Sequence, residues 1–242
     1  MQAIPTVKPT EIGQKGLWIA LTVLGLWFLS LSLLLHYHIN WQNPLTYLFV
    51  LLQMHLYTGV FITAHDSIHG VVVPQNKRLN YWLGFLSASL FAFNNFKTLS
   101  AKHHLHHRHA ATPDDPDYHD GHPNFFLWFL AFAKEYVSVW QVLLMAVTYN
   151  VLKLWFPWEN LVLFWMIPAV LSTFQLFYFG TYLPHRGHHH NPPLNARSQS
   201  LNHFKAFVSC YFFGYHYEHH AYPYLPWWQL PHARERVAAQ GE

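Results

Sequence analysis

The sequence predicts an all-α integral membrane protein with four transmembrane helices and a histidine-rich cytoplasmic cap. Three observations support this fold class. Apolar residues occur in long uninterrupted runs, hydrophobic residues make up 52% of the chain against 10% charged residues, and nearly all of the 21 histidines lie in segments outside the runs. So few charges cannot solvate the surface of a globular domain of this size, and lipid must therefore cover part of it.

The apolar runs are long enough to cross a bilayer. Its hydrocarbon core is about 30 Å thick, which requires roughly 20 residues of apolar helix. Three runs meet or approach that length: residues 17–35, 45–64 and 161–183. We expect a fourth crossing at residues 137–154, which contain Gln141 and Asn150 but are otherwise apolar.

Two shorter apolar segments are not expected to cross. Residues 81–93 are too short and are interpreted as a re-entrant or interfacial piece, and residues 125–133 are shorter still. The first run is too long for a signal peptide, and no small-x-small cleavage site follows it before His36. We therefore predict that residues 1–242 form a single membrane domain that keeps this run as an anchor.

The distribution of positive charge predicts the orientation. Four crossings place both termini on one side, together with 13 of the 14 Lys and Arg residues, and leave only Lys153 on the other side. By the positive-inside rule the first side is the cytoplasm. His65 directly follows the second run and His185 follows the last one. Both histidines are therefore predicted at the cytoplasmic edge of the bilayer.

Composition excludes several classes of site and partner. Cys210 is the only cysteine, so the chain cannot form an intrachain disulfide or a cysteine-based zinc or iron–sulfur site. Any bound metal must be held by nitrogen or oxygen. The net charge is only +3 and the basic residues are scattered, so nucleic acid is not an expected partner.

The histidines form four clusters. Neutral imidazole is a common ligand for iron, copper and zinc, and residues at i, i+3 and i+4 of a helix share one face. The clusters are His65 and His69; His103, His104, His106, His107 and His109; His185, His188, His189 and His190; and His216, His219 and His220. Chance does not account for four internal clusters on one side of the membrane, and the pattern indicates metal binding.

The number of candidate ligands indicates two metal ions. The i, i+3, i+4 pattern selects eight: His65, His69, His103, His106, His107, His216, His219 and His220. Eight exceed the requirement of one ion, since zinc usually takes four ligands and octahedral iron six. His185 is a plausible ninth ligand at the end of the last predicted helix. No Glu-x-x-His occurs, which excludes the carboxylate-rich di-iron bundle and the His-Glu-x-x-His zinc protease signature.

The sequence leaves alternatives for the register of the second cluster and for three histidines after His185. His104 and His109 offer an alternative register in the second cluster, although we favour the triplet above. Gly187 and the following prolines argue against a continuing helix, so the roles of His188, His189 and His190 stay open.

Acidic residues near the clusters are candidates to support the ligands. A ligating histidine usually donates its other ring N–H to a carboxylate or carbonyl, which fixes the tautomer. Four residues are placed for this role: Asp66, Asp115, Asp117 and Glu218. An equally good interpretation of the 112–117 segment is a solvated turn.

The motifs resemble those of the fatty-acid desaturase and hydroxylase superfamily, and within it the bacterial-type β-carotene ketolases, over nearly the whole chain from about residue 17. The resemblance is carried by residues 64–70 (AHDSIHG), 103–109 (HHLHHRH) followed by 114–117 (DDPD), 179–186 (FGTYLPHR), 195–198 (NARS) and 213–223 (FGYHYEHHAYP). It implies a non-haem di-iron site that uses O2 and electrons from an external donor, with ferredoxin expected. It also implies oxidation of carbon 4 of a β-ionone ring to a ketone, which converts β-carotene to echinenone and canthaxanthin.

A carotenoid substrate dissolved in lipid requires an apolar pocket beside the metals. Four aromatic residues are candidates to line it: Phe91, Phe93, Phe96 and Phe125. The alternative for each is lipid-facing or core packing.

Other functions fit parts of the pattern. A carotenoid ring hydroxylase, a fatty-acid desaturase or an alkane hydroxylase would share the same chemistry. A metal transporter or sensor would also be rich in histidine, but it would need ionisable residues inside the spans, and apart from His55 these are almost absent.

Overall fold

The computed structural model describes residues 9–119, 124–187, 189 and 191–240. Over these residues the chain is helical and contains no strand, with one isolated bridge between Ser198 and Tyr215. This agrees with the predicted all-α class. His188 and His190, whose roles the sequence leaves open, lie outside the described residues.

Ten helices are described. They are α1 (Pro9–Leu34), α2 (Pro44–Ile68), α3 (Lys77–Leu90), α4 (Phe96–His109), α5 (Phe125–Tyr136), α6 (Val139–Leu152), α7 (Trp158–His185), α8 (His203–Cys210), α9 (His216–Ala221) and α10 (Leu230–Ala239). Asparagine side chains accept backbone N–H bonds at the starts of five: Asn43, Asn76, Asn95, Asn124 and Asn202. Each satisfies a donor that the first helical turn leaves without a partner.

Three helices are long and apolar enough to cross a membrane: α1 from Gly13 to Leu34, α2 and α7. Helix α7 contains two π-helical turns, Val162–Met166 and Tyr178–Tyr182. A proline follows each turn within two residues, at Pro168 and Pro184. Proline has no N–H to donate, and the wider turn accommodates the missing bond without ending the helix.

The predicted fourth span differs from the structure. Residues 137 and 138 are extended, and α6 begins only at Val139 because Ser138 and Gln141 form a reciprocal capping box. Helix α6 has 14 residues and is therefore about 21 Å long, and it is bent by 83° from α5. A fourth span exists only if this bent pair is counted as one. The 81–93 segment, interpreted as interfacial, belongs mostly to α3, another helix of 14 residues.

Helix α2 lies at the centre of the bundle and packs against α1, α3 and α7. Tyr57, Val60 and Ile62 of α2 are fully buried in the main core. At one end of the bundle, Asn160 Nδ2 at the start of α7 donates to the carbonyls of Leu34 and Tyr37, both at 2.7 Å. These bonds place the start of α7 at the end of the bundle where α1 ends. The other end of α7, at His185, therefore lies at the opposite end of the bundle, beside the histidines of α2.

Candidate metal centre

Nine histidines from four helices meet at one end of the bundle. His65 and His69 come from the last turn and the C-cap of α2, His185 ends α7, and the remaining six come from α4 and α9. The i, i+3, i+4 spacing works as expected in both short helices, where it turns three rings to one side. These are the nine side chains that the sequence selects.

The first cluster contains His65, His69, His103 and His219, with ligand atoms all within 4.8 Å of one another. Its Nε2 atoms approach closely: His69 to His103 at 2.8 Å, and His65 to His219 at 3.2 Å. His107 joins this group, since its Nε2 lies 3.1 Å from that of His103 and 2.9 Å from that of His219.

The second cluster contains His106, His185, His216 and His220, also within 4.8 Å and all buried. The Nε2 of His220 lies 3.0 Å from those of His106 and His216. The two clusters touch through His107, whose ring stacks on that of His220 at a centroid distance of 4.3 Å.

Hydrogen bonds at Nδ1 fix the tautomer of three rings. His106 Nδ1 lies 2.9 Å from Asp115 Oδ1, and His185 Nδ1 lies 2.8 Å from the carbonyl oxygen of Asn195. His65 Nδ1 lies 3.1 Å from Asp66 Oδ1. These oxygens accept, so each Nδ1 carries the proton and each Nε2 presents a lone pair to its cluster.

This arrangement fits a bound cation. His185 Nε2 is buried without a hydrogen-bond partner among the described residues, and lone pairs about 3 Å apart repel unless a positive charge lies between them. Nitrogens held at about 2.0–2.1 Å from one ion approach one another to roughly 3 Å. Each cluster therefore has the ligand type, number and spacing that a transition metal needs.

Burial favours the neutral form, which ligation requires, and it prevails in all but one of the following rings. Burial lowers the pKa of His69 to about 3 and that of His107 to about 2, and neighbouring imidazoles contribute further. The pKa lies well below its usual range, mainly because of burial, in His103, His216, His219 and His220. Burial also lowers the pKa of His106, but Asp117 and Asp115 outweigh it and the pKa is raised.

The predicted supporting carboxylates divide into two groups. Asp66 and Asp115 each contact a ring Nδ1, as described, and are themselves held by backbone N–H groups, Asp66 Oδ2 by that of Trp227 at 2.9 Å. Asp117 lies farther out, with Oδ2 3.8 Å from His106 Nδ1, and accepts a hydrogen bond from Tyr136.

Glu218 is placed differently. It is buried, but its described partners are the Ser198 hydroxyl and the Arg234 guanidinium, the latter at 3.1 Å, and not a histidine. Its position within the HYEHH motif suggested a ring contact, but neighbouring positions on a short helix face different directions. Glu218 therefore links α9 to α10 through Arg234, and to the isolated Ser198–Tyr215 bridge through the Ser198 hydroxyl.

A largely apolar cavity borders both clusters. Its empty space, including the mouth, is about 850 Å³. His65 and His103 border it from the first cluster, and His106 and His216 from the second. The apolar part of its wall consists mainly of Phe61, Phe91, Leu99, Phe132, Leu176 and Phe213. This space can hold a hydrophobic ring directly beside the nitrogen ligands.

Of the four aromatic residues predicted to line the pocket, Phe91 does so and the others do not. Phe96 packs against Tyr81 and fills the space beside Gly84. Phe125 packs against Phe177 and Tyr182, and Phe93 is not part of the cavity wall. Aromatic character alone did not identify wall residues, because it does not specify the face of the helix on which a side chain lies.

Sequence reasoning also missed residues that matter. Phe61 lies one helical turn before His65, and this i−4 spacing could have identified it as a wall residue. Thr181 stands in the same relation to His185 and also lines the cavity. Asn195, whose carbonyl oxygen holds His185, has positive φ and lies in a loop. No sequence pattern predicts that contact.

The fold and the site define a helical membrane protein built around paired histidine clusters. A family model described as fatty acid desaturase matches residues 39–141 and 124–242. The chain therefore belongs to the fatty acid desaturase family, and non-haem iron is the metal that this family and the ligand set indicate.

Several relatives are carotenoid ketolases. The chain is 42% identical over 227 residues to zeaxanthin 4-ketolase of Chlamydomonas reinhardtii, covering 91% of this chain and 51% of that protein. It is 36% identical over 270 residues to β-carotene 4-ketolase 3 of Haematococcus lacustris, covering 97% and 83%. It is 39% identical over 224 residues to β-carotene ketolase of Paracoccus sp. (strain PC1), covering 90% and 88%. The chain spans about half the length of the Chlamydomonas protein.

Proposed function

We propose that this protein is a β-carotene 4-ketolase, an O2-dependent oxygenase that converts the C4 methylene of β-ionone rings to a ketone. The observation that carries the proposal is the apolar cavity bordered by both histidine clusters. The similarity to ketolases over at least 90% of this chain narrows the substrate to a carotenoid. β-Carotene would give echinenone when one ring reacts and canthaxanthin when both rings react.

Each cluster would hold one iron ion. His65, His69, His103 and His219 would bind the first, and His106, His185, His216 and His220 the second, with His107 between them. When bound, the irons supply the activation of O2 and the abstraction of hydrogen from carbon. Asp66, Asp115 and the Asn195 carbonyl oxygen would keep the Nε2 lone pairs of His65, His106 and His185 directed inward.

The cavity wall would orient the substrate. Phe61, Phe91 and Phe213 provide flat apolar surfaces against which a β-ionone ring can pack, and they exclude water from the reacting carbon. The substrate dissolves in lipid, so it would enter from the membrane. Phe132 and Tyr136 of α5 belong to the same wall, so the entry route would pass beside the bent pair.

Two rounds at one carbon account for a ketone. Each round consumes O2 together with two electrons and two protons, inserts one oxygen atom and releases water. The second round yields a geminal diol, which loses water to form the carbonyl. The chain carries no flavin or haem motif, so the electrons would come from an external donor, with ferredoxin the expected partner.

The bent pair would make the fourth crossing. Phe125 of α5 packs 5.3 Å from Tyr182, near the histidines, whereas Phe156, just after α6, packs 5.2 Å from His36 at the opposite end of the bundle. The chain therefore travels from one end to the other between these residues. We propose four crossings, with both termini and the metal centre on the cytoplasmic side.

Expression in a host that accumulates β-carotene tests the function. We expect ketocarotenoids, identified by pigment chromatography and mass. Zeaxanthin as the product would instead indicate a ring hydroxylase, and unchanged β-carotene with the protein present in membranes would contradict both.

A further inference from the structure

Most polar side chains on the cavity wall already have partners within the protein. Asn94 Nδ2 donates to the carbonyl of Phe91 at 2.8 Å, and Gln141 Nε2 donates to Asn94 Oδ1 at 3.0 Å. Thr173 donates to the carbonyl of Ala169 at 2.9 Å. These groups offer little further hydrogen bonding to a ligand.

Thr181 is different. It is only 4% exposed and lines the cavity, yet its hydroxyl has no hydrogen-bond partner among the described residues. Buried threonines in the regular parts of the bundle donate to the carbonyl four residues earlier, as Thr63 does to Gly59 at 2.9 Å. Thr181 lies in the second π turn, where backbone bonds shift to the carbonyl five residues back. The Thr181 hydroxyl oxygen is not sealed from the cavity, so a ligand in that space can supply the hydrogen bond that the protein does not.

The position of Thr181 relates it to the chemistry. It precedes His185 by one turn and shares the cavity wall with His106 and His216. Its neighbour Gly180 leaves room for the Phe213 ring, which lies 5.3 Å from the ring of His216. Thr181 therefore lies on the cavity wall that His106 and His216 also border, where the proposed function would put the reacting ring carbon.

We propose that Thr181 binds the oxygen atom that the first round places on carbon 4. This inference rests on the proposed ketolase function and adds a positioning residue to it. The unreacted methylene has no hydrogen-bonding group, so Thr181 gives the first round little help. The C4 alcohol can accept from Thr181 or donate to it, which holds the half-oxidised ring for the second round.

Thr181→Val tests this role because it keeps the shape and removes the hydroxyl. In a host that makes β-carotene and no hydroxylated carotenoid, any ring oxygen must come from this enzyme. We expect the ratio of C4 alcohol to ketone to rise about fivefold, within the range that one net hydrogen bond supports. Thr181→Ser retains the hydroxyl and should restore the wild-type ratio.

Thr63→Val is the matched control, since it removes a hydroxyl that is 3% exposed and already bound within α2. We expect it to keep the wild-type ratio whatever its expression level. An unchanged ratio in Thr181→Val, or an equal rise in Thr181→Ser, would overturn the inference while wild-type ketone still supported the ketolase function. Absence of ketone from the wild type would instead refute the function itself.

Discussion

His219 occupies the point where the first cluster meets His107. Its Nε2 lies 3.2 Å from that of His65 and 2.9 Å from that of His107, so His219→Ala would remove a ligand that packing cannot replace. We expect bound iron to fall by at least about half and the ketone to fall below detection. The measurements are iron per protein by mass spectrometry and pigment chromatography.

His104 supplies the control for that variant. It lies on the same helix as His103 but is exposed, with its ring 6.2 Å from that of His69. His104→Ala should keep the iron content and activity of the wild type. Loss of iron in this variant, with retention in His219→Ala, would favour the alternative register of the second histidine motif.

Asp115 is expected to act through His106. It is 3% exposed, and both its oxygens lie within 3.0 Å of the ring Nδ1. Asp115→Asn removes the charge that holds the Nε2 lone pair inward, and should weaken iron binding about 10- to 100-fold. The exposed neighbour Asp114 provides the control, and equal iron affinities in Asp115→Asn and Asp114→Asn would contradict this role.

The placement of single residues follows from the sequence where helix geometry alone decides it. The spacing of His216, His219 and His220 requires only that a helix form, and the structure has one there. The division of ligands between clusters was not predictable, because His106 and His107 are adjacent yet face different groups. That division depends on how α4 sits between α2 and α9, which local sequence does not encode.

At the scale of the helices, the second π turn of α7 packs closely against the Phe213 ring at Gly180. A methyl group on Gly180 would collide with the Phe213 ring, which lies 4.8 Å from the ring of His65. We expect Gly180→Ala to displace this ring, to lower ketone yield at least about tenfold and to reduce the melting temperature, as overpacking typically does. Pigment chromatography and thermal unfolding in detergent are the measurements.

Gly25 in α1 is the matched control, because a methyl group there meets open space. Gly25→Ala should keep activity and leave the melting temperature unchanged or slightly higher, since alanine favours helix. Phe213→Leu combined with Gly180→Ala should recover part of the lost stability. Wild-type behaviour of Gly180→Ala would show that the contact is unimportant.

Hydropathy alone does not predict where the helix in the 137–154 run begins. The 137–154 run has the apolar composition of a span, but its start is set by Ser138 and Gln141, which together form a local cap. The sharp bend between α5 and α6 lies at that cap. An apolar count cannot detect it, whereas the Ser-x-x-Gln pattern could have indicated it.

Over the whole molecule, the buried imidazoles link stability to pH. An unfolded histidine has a pKa near 6.5, while the folded values are about 3 for His69 and about 2 for His107. Below about pH 6.5 these two rings therefore bind more protons in the unfolded chain than in the folded one. The free energy of unfolding therefore falls as the pH falls from about 6.5 towards about 3, by about 1.4 kcal/mol per pH unit for each ring that stays neutral.

The test is thermal unfolding of chelator-treated protein between pH 7.5 and pH 5 at intervals of about half a unit. We expect the melting temperature to decline continuously below about pH 6.5, and His107→Gln to make the decline shallower. The exposed His232→Ala should leave the slope unchanged. A melting temperature independent of pH across this range would mean that these rings are not held neutral by the fold.

The proposed route of the chain across the membrane rests on contacts at opposite ends of the bundle. Asn160 binds the carbonyls at the end of α1, so the start of α7 must lie on the same side as the α1–α2 connection. Because the preceding histidine helix α4 lies at the other end, α5 and α6 together lead from one end of the bundle to the other, and in the proposed topology they would carry the chain through the bilayer. A 21 Å helix is short for this, and the exposed Lys153 at its end would extend to the surface.

Cysteine labelling tests this topology, with Cys210→Ser as the background. A membrane-impermeant maleimide added to intact cells should label Gln42→Cys and Lys153→Cys, whereas His232→Cys should react only after lysis. Labelling of Lys153→Cys only after lysis would mean that the bent pair re-enters and does not cross. The start of α7 would then lie on the other side of the membrane from the end of α1, and the Asn160 contacts could not form. His185 at the far end of α7 could not then complete the second cluster beside the first.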